Sequence, residues 1–188
     1  MTEQQLIESI RAGDGRKYAV LVNRHKDKAF TLAFRLVGDR HEAEELVQDA
    51  FVRAYRSLDA FRGEAKFSTW LYRILYNLCM TKISRRRPAG ETLDIHEEML
   101  DNVFVGGDDA SADEQLEIDE QRATVLEEVK LLPEKFRVAV TLFYLQEMSY
   151  EEMVDVLNIP LGTVKTNLFR GRNLLRERLL VRLKGEAV

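Results

Sequence analysis

The residues best suited to chemistry in this 188-residue chain are three histidines and one cysteine. His25, His41 and His96 lie on separate predicted elements, without the spacing that metal ligands need. The segment HEAEE at 41–45 resembles the start of a zinc-protease motif, but Glu45 stands where the second histidine is needed. There is no phosphate-cradling glycine loop and no nucleophile elbow. Enzyme is therefore the weakest functional class, and we expect no catalytic residue, metal or cofactor.

Cys79 is the only cysteine, so no disulfide can form within the chain. It falls in an apolar helical run, which predicts a buried, inert thiol and suits a reducing, cytoplasmic compartment. No apolar run is long enough to cross a bilayer. The N-terminal residues MTEQQLIES lack the basic start and apolar core of a signal peptide. We expect a cytoplasmic protein without membrane insertion.

The net charge of −4 hides three differently charged segments. Residues 1–88 carry 17 basic and 11 acidic side chains, whereas residues 89–118 carry 10 acidic and no basic ones. Residues 119–188 carry 11 of each, yet the stretch 163–184 holds seven basic residues and one acidic residue. Two segments with basic features therefore flank an acidic one, and the acidic overall composition does not exclude binding to nucleic acid.

The first basic segment ends in an aromatic helix. Ser68 is predicted to cap this helix, and the run STWLYRILYNL continues to three arginines at 85–87 before Pro88. Bases stack on aromatic rings at about 1–3 kcal/mol each while cations follow the phosphates, so this composition suits single-stranded nucleic acid. The alternative is that Trp70 and Tyr72 are ordinary core residues of a helical domain, and both interpretations stay open.

The second basic segment, 149–178, predicts a helix-turn-helix. Ser149 and Glu152 can form a capping box on a first helix, and Asn158 tolerates the left-handed conformation in which helices end. Thr163 is predicted to open a second helix with basic side chains off its apolar stripe. These are Lys165, Arg170, Arg172, Arg176 and Arg178. The pattern is that of proteins that read the major groove, although an αα-hairpin with solvated basic residues is the alternative.

The rest of the periodicity is helical, which predicts an all-α fold. A capped helix begins at Thr2, a second runs from Arg16 to about Val37, and Asp39 caps a third. One side of the third helix carries polar side chains at three- and four-residue steps, forming either a solvated face or a docking surface for a basic partner. These residues are Glu42, Glu45, Gln48, Asp49 and Arg53.

Helical periodicity is lost from Ala89 to Leu116, where glycines and like charges predict a flexible, extended linker. The sequence thus predicts two small helical domains, 1–88 and 116–188, joined by a flexible acidic linker, 89–115. The helix-turn-helix belongs to the C-terminal domain.

Three blocks of the sequence resemble, in order and spacing, the extracytoplasmic-function (ECF) group of sigma factors in the sigma-70 family. These proteins are the promoter-recognition subunits of bacterial RNA polymerase. The blocks are HEAEELVQDAFVRAYRSLDAF, FSTWLYRILYNLCMTKISRRR and LPEKFRVAVTLFYLQEMSYEEMVDVLNIPLGTVKTNLFRGRNLLRERL. The resemblance implies a non-enzymatic subunit that directs core polymerase to promoters by −35 and −10 recognition and opens the −10 strands.

For the aromatic helix and the loop before it, the resemblance implies opening of the −10 element and its recognition as a single strand. A base would leave the stack and enter a pocket between loop and helix, and the arginines would hold phosphates. The implied residues are Phe61, Arg62, Lys66, Phe67, Ser68, Thr69, Trp70, Arg73, Asn77, Lys82, Arg85, Arg86 and Arg87.

The resemblance further implies that the helix-turn-helix reads the −35 element as duplex. The implied residues are Ser149, Thr163, Lys165, Thr166, Asn167, Phe169, Arg170 and Arg172. Core polymerase would be bound through its clamp coiled coil and its flap, and the implied clamp-binding residues are Asp39, Glu42, Glu45, Gln48, Asp49 and Arg53. The acidic linker would thread the polymerase near its active-site cleft, and an anti-sigma factor is an implied partner.

Four residues depart from the family pattern. Thr81 stands where Asp is frequent, Asn167 where Arg is common, Phe169 where His is common, and Gly171 where Ala is usual. A glycine inside a helix costs about 1 kcal/mol of propensity. These departures concern the DNA sequence that is read and leave the implied function unchanged.

Two other functional hypotheses compete. A stand-alone helix-turn-helix regulator would bind duplex DNA as a dimer, but it would have no use for the aromatic helix. A polymerase adaptor without DNA contact would use the acidic face alone, and the arginine run argues against it.

Overall fold

The computed structural model describes residues 1–86 and 123–185, and every regular element in these ranges is helical. The first range contains α1 (Glu3–Arg11), α2 (Tyr18–Val37), α3 (Arg40–Arg56) and α4 (Phe67–Arg86). The second contains α5 (residues 123–130), α6 (Glu134–Val140), α7 (Tyr150–Leu157) and α8 (Leu161–Gly185). The predicted all-α fold is confirmed. The predicted linker, 89–115, and both of its boundaries lie outside the described residues.

Short polar side chains and left-handed residues set the helix ends as the sequence predicted. Thr2 and Ser149 each complete a capping box at the start of α1 and α7, and Asp39 accepts a backbone hydrogen bond at the start of α3. Gly38, with φ of 75°, ends α2, and Asn158, with φ of 54°, ends α7. Local sequence therefore determines where these helices stop.

Three helix starts differ from the prediction. α4 begins one residue before Ser68, because the Trp70 amide already closes a helical hydrogen bond four residues back at 3.1 Å. α8 begins two residues before Thr163, because the Val164 amide does the same at 3.0 Å. α2 begins two residues after Arg16, behind a 3₁₀ turn. Ser68 therefore lies inside the first turn of α4 and does not cap it.

The N-terminal half packs α2, α3 and α4 around a close-fitting core. Five alanines have no exposed area, which allows the helices to approach closely: Ala29, Ala33, Ala43, Ala50 and Ala54. Cys79 is also fully buried, and burial raises the pKa of its thiol to about 12. The expectation of a buried thiol is confirmed, and a thiol with this pKa is unreactive at neutral pH.

In the C-terminal half, α6 passes directly into a π-helical turn, Thr141–Leu145. The Gln146 amide donates to the carbonyl five residues back at 3.1 Å, which is the π-helical spacing. The extra residue turns the chain so that the Gln146 side chain donates to the carbonyl of Lys28 in α2 at 3.0 Å. The turn therefore joins the C-terminal half to the N-terminal half.

α4 lies between the two halves, in contact with α2, α3 and α7. Its buried residues do not form one stripe, as expected for a helix that is covered on more than one side. They are Phe67, Thr69, Leu71, Tyr72, Leu75, Leu78 and Cys79. The buried side chains of both halves form one continuous cluster.

Gly171 gives α8 its close approach to α6. A Cβ at this position would lie 3.0 Å from Val140 Cγ2, 3.2 Å from Phe136 Cβ and 3.3 Å from the Phe136 carbonyl oxygen. The glycine that the sequence suggested as a propensity defect therefore lies where a Cβ would make tight contacts with α6.

Gly171→Ala should lower the free energy of unfolding by about 1–2 kcal/mol, because overpacking outweighs the gain in helix propensity. Gly162→Ala is the matched control on the same helix, since nothing lies within 4 Å of a Cβ there. It should leave stability unchanged or raise it by up to about 1 kcal/mol. Urea denaturation of both variants measures the difference, and equal stabilisation by both would contradict the packing role.

Candidate nucleic-acid interface

One face of α4, together with Lys66 just before the helix, combines an aromatic ring with polar and basic side chains. Lys66, Trp70, Arg73 and Asn77 follow one another at steps of four, three and four residues, which places them in one stripe. Lys66, Arg73 and Asn77 are exposed and Trp70 is half-buried. We call these four residues the α4 stripe. Rings flanked by cations and amides are what single-stranded nucleic acid requires.

The buried rings of two phenylalanines pack against the indole of Trp70. The ring of Phe61 lies 5.2 Å and that of Phe67 5.8 Å from the Trp70 ring, and the two phenylalanines meet edge-on at 6.0 Å. Phe61 and Phe67 are themselves buried. Because both rings are buried, neither can stack on a base in this structure. Both are among the DNA-contacting residues expected from the sequence. They fix the orientation of Trp70 instead.

Lys82 and Arg86 lie on another side of α4, where they meet α3. Glu42 forms an ion pair with Lys82 at 3.7 Å and another with Arg86, and the Arg86 guanidinium also donates to the carbonyl of Val37 at 3.3 Å. Glu42 is therefore half-buried against α4 and does not belong to an open acidic face. Arg85 is exposed, and Arg87 lies outside the described residues.

At the start of α4, two predicted DNA contacts face α7. Thr69 is only 1 % exposed, and its hydroxyl donates to Glu152 Oε1 at 3.3 Å. The Lys66 ammonium pairs with the same oxygen at 2.9 Å. Arg62 in the preceding loop is exposed and Ser68 is half-buried.

The predicted polymerase-binding face of α3 is largely open. Glu45, Gln48, Asp49 and Arg53 are exposed. Asp39 is also exposed, but its carboxylate accepts from the backbone at the start of α3, which gives it a structural role.

The sequence did not predict the apolar groove beside this face. The groove lies between α2 and α3 and has a volume of about 1060 Å³. Its lining includes Tyr18, Val22, Phe30, Val52 and Tyr55, and it also reaches the exposed Gln48. Val52 and Tyr55 are 47 % and 48 % exposed. A patch of exposed apolar residues is typical of a surface that contacts another protein. The sequence signal that could have indicated this groove is the position of Val52 and Tyr55 at the edge of the apolar stripe of α3.

The helix-turn-helix has the predicted architecture. Val164 and Leu168 of α8 are buried against the core, while Lys165 is exposed and its ammonium lies 5.8 Å from the Tyr150 ring centre. The remaining predicted contacts on α8 are half-buried on its flanks. They are Thr163, Thr166, Asn167, Phe169, Arg170 and Arg172. Ser149 is exposed at the start of α7.

Farther along α8, two basic residues have an intramolecular partner that the sequence did not reveal. Arg178 and Arg182 pair with Glu128 of α5 at 2.8 Å and 3.1 Å. The hydrogen bond from Arg178 is the largest contribution to the lowered pKa of Glu128. Arg178 therefore holds α5 on α8 and belongs to the scaffold.

Within the ranges 1–86 and 123–185, no three side chains of the His, Cys, Asp and Glu types are grouped as a metal site. His25 pairs with Glu3 at 2.7 Å and His41 with Glu45 at 3.5 Å, whereas His96 is not described. None of the described helices has a stretch long and apolar enough to cross a membrane.

Comparison with known families matches both halves of the chain. Residues 21–88 match sigma-70 region 2, and residues 122–175 match sigma-70 region 4. The ECF sigma factor SigW of Bacillus subtilis is 37% identical over 95% of this chain and 97% of its own length. The ECF sigma-E factor of Escherichia coli is 37% identical over 93% of each chain. The chain belongs to the ECF sigma factors. As such, it directs RNA polymerase to promoters for the initiation of transcription.

Solved structures share the fold of this ECF sigma factor. CnrH, solved in complex with the cytosolic domain of CnrY, has a TM-score of 0.68 at 24% identity, covering 95% of this chain and 97% of CnrH. RpoE of Bartonella quintana, solved with the anti-sigma factor NepR, has a TM-score of 0.65 at 21% identity, covering 88% and 98%.

The ion pairs of Glu42 predict that this residue stabilises the sigma factor. Glu42→Gln should lower the free energy of unfolding by about 0.5–1 kcal/mol, because Lys82 and Arg86 lose their shared carboxylate. Glu45→Gln is the matched control: its exposed side chain pairs only with His41 among the interactions described, and stability should change by less than about 0.3 kcal/mol.

Thermal or urea unfolding of both variants, together with their affinity for core polymerase, separates the two roles of Glu42. Unchanged stability of Glu42→Gln with weaker polymerase binding would show that Glu42 docks the polymerase directly.

Proposed function

We propose that this sigma factor reads the −10 element with the α4 stripe and the −35 element with the start of α8. The observation that carries the proposal is the half-buried indole of Trp70, held by two buried rings and flanked in its stripe by exposed Lys66 and Arg73. An indole fixed in this way loses little entropy when a base stacks on it. Three polar or charged neighbours at helical spacing can then hold the phosphates and base edges.

The predicted −10 residues divide into contacts and supports. Lys66, Trp70, Arg73, Asn77 and Arg62 contact the separated strand, with Asn77 reading the edge of an extruded base. Phe61 and Phe67 support Trp70, and Ser68 and Thr69 lie where the loop meets the helix. Arg85 and Arg87 follow the phosphates beyond the stripe, and Lys82 and Arg86 join them when their ion pairs with Glu42 are released.

The predicted −35 residues occupy the accessible flanks of the α8 start. Lys165 is exposed, and Thr163, Thr166, Asn167 and Arg170 share one flank at helical spacing. Such a helix start fits the major groove, where one bidentate Arg or Asn contact contributes about 1–3 kcal/mol of discrimination. Ser149, Phe169 and Arg172 complete the set at its edges.

Docking of core polymerase uses the exposed residues of α3 together with the neighbouring groove. Glu45, Gln48, Asp49 and Arg53 supply a polar rim, and the apolar groove between α2 and α3 supplies the desolvated centre that stable interfaces need. The clamp coiled coil is the proposed ligand of this surface, and the flap is the proposed ligand of the C-terminal half.

The sigma factor acts in the cytoplasm as a non-catalytic subunit, and its activity is controlled by an anti-sigma factor. Its membership of the ECF group supports these proposals. One solved relative in fold was captured with the anti-sigma factor NepR.

Transcription from a randomised DNA library tests the proposed function without knowledge of the promoter. The purified chain, mixed with bacterial core polymerase, should start transcripts downstream of two enriched motifs at a fixed spacing. Core polymerase alone should enrich neither motif. Enrichment of a single palindromic duplex motif by the chain alone, with no effect of core, would favour a stand-alone helix-turn-helix regulator.

Trp70→Ala should reduce open-complex formation on a duplex promoter about tenfold, because one stacked base loses its ring. On a template with a pre-melted −10 region, the loss should be smaller. Ile83→Ala, which changes a half-buried residue of the same helix away from the stripe, controls for lost packing. Permanganate footprinting measures the opening, and equal losses on both templates would contradict a role in melting.

A further inference from the structure

The carboxylate of Glu152 joins the two halves of the molecule. Its Oε2 accepts from the backbone N–H of Ser149 at 2.9 Å, which caps its own helix. Its Oε1 pairs with the Lys66 ammonium at 2.9 Å and accepts from the Thr69 hydroxyl at 3.3 Å. One oxygen therefore caps α7 of the helix-turn-helix, and the other binds residues at the start of α4.

Lys66 and Thr69 carry a cation and a hydroxyl donor, the groups that proteins direct at phosphate oxygens. In this structure one carboxylate oxygen from the same chain accepts from the Thr69 hydroxyl and pairs with the Lys66 ammonium, whose side chain stays exposed. α7 also covers Thr69 almost completely, at 1 % exposure. Contact of α7 with α4 and contact of nucleic acid with Thr69 are therefore mutually exclusive, and the charge of Glu152 competes with phosphate for the exposed Lys66.

The arrangement also prevents the two reading surfaces from reaching their elements together. The −35 and −10 elements are centred roughly 25 base pairs apart, or about 85 Å along duplex DNA. A compact protein of this length has a radius of gyration of about 16 Å and is about 40 Å across. With α4 in contact with α7, the chain cannot span that distance, so the halves must separate on a promoter.

The interface between the halves combines a shared apolar core with polar contacts that are incompletely paired, and these polar contacts favour opening. Lys28 pairs with Glu147 at 3.5 Å between two well-exposed side chains. Within the described part of the chain, Arg35 Nε, Arg137 Nε and Gln146 Oε1 are buried without a hydrogen-bond partner. Buried donors and acceptors without partners weaken the closed arrangement relative to a solvated one.

We propose that Glu152 is an intramolecular latch. It holds the free sigma factor in a closed state, in which α7 covers the start of α4, until polymerase separates the two halves. This inference rests on the proposed function of the α4 stripe. The partner displaced by opening is the chain's own helix-turn-helix, and the ligand that replaces it is the phosphate backbone of the −10 strand.

The first test measures the latch alone. Cysteines at Lys28→Cys and Glu147→Cys, joined by a short disulfide-containing bismaleimide, report contact between the halves, and buried Cys79 does not react. Glu152→Gln keeps the capping box, since glutamine serves at this position, but removes the charge. It should slow cross-linking about threefold, as expected for loss of one charge-assisted contact.

Glu151→Gln is the matched control, an exposed carboxylate in the same first turn, and it should cross-link at the unmodified rate. Equal rates for the Glu152→Gln and Glu151→Gln variants would overturn the latch.

The second test measures whether contact between the two halves inhibits the initiation of transcription. The cross-linked protein should bind core polymerase but start at least tenfold fewer transcripts from the randomised library, because simultaneous engagement of both elements is lost. Reductive cleavage of the linker should restore initiation to within about twofold of the unlinked protein. Full initiation by the cross-linked protein would overturn the proposal.

No initiation by the unlinked protein would instead refute the proposed function, and the inhibitory role with it. The cross-linking rates would still establish whether Glu152 joins the halves.

Discussion

The burial of α4 on more than one side is the constraint on which the rest of the structure depends. A helix whose apolar residues surround its axis must find cover for each of them. α2 and α3 cover one side and α7 covers another, so the N-terminal half that carries the α4 stripe also contacts the helix-turn-helix. The exposed α4 stripe is what remains after this packing, and its position follows from the arrangement of its neighbours.

Carboxylates from both neighbours pair with some of the basic residues in and next to α4. Glu42 of α3 holds Lys82 and Arg86, and Glu152 near the start of α7 holds Lys66. Under the proposed function, these pairs place acidic side chains where phosphates would bind. The free protein therefore presents fewer unpaired cations than its sequence suggests. Under the proposed function, its affinity for DNA would depend on which of these pairs polymerase releases.

Sequence reasoning located the elements that depend on local signals. The capping boxes at Thr2 and Ser149, the left-handed ends at Gly38 and Asn158 and the helical periodicity all depend on residues within a few positions of one another. The exposure of Lys165 was also predictable, because its spacing places it off the apolar stripe of α8.

Contacts between residues distant in sequence could not be predicted in this way. Glu42 and Arg86 are separated by 44 positions, and Thr69 and Glu152 by 83. The low helix propensity of Gly171 was misleading, because the missing side chain is an advantage only where α6 packs against this position. Phe61 and Phe67 appeared in an aromatic, basic segment, and only the fold distinguishes the ring that is half-exposed from the rings that support it.

In this account, the two halves are in contact in the free protein and separate on a promoter. The most direct test of this separation is the distance between fluorophores on the two halves, at the exposed Asp59 and Glu177. In the free protein, the two sites should lie within the roughly 40 Å of a compact chain. In the complex with core polymerase and promoter DNA, the distance should grow toward the roughly 85 Å that separates the two elements. An unchanged short distance in the promoter complex would contradict the account.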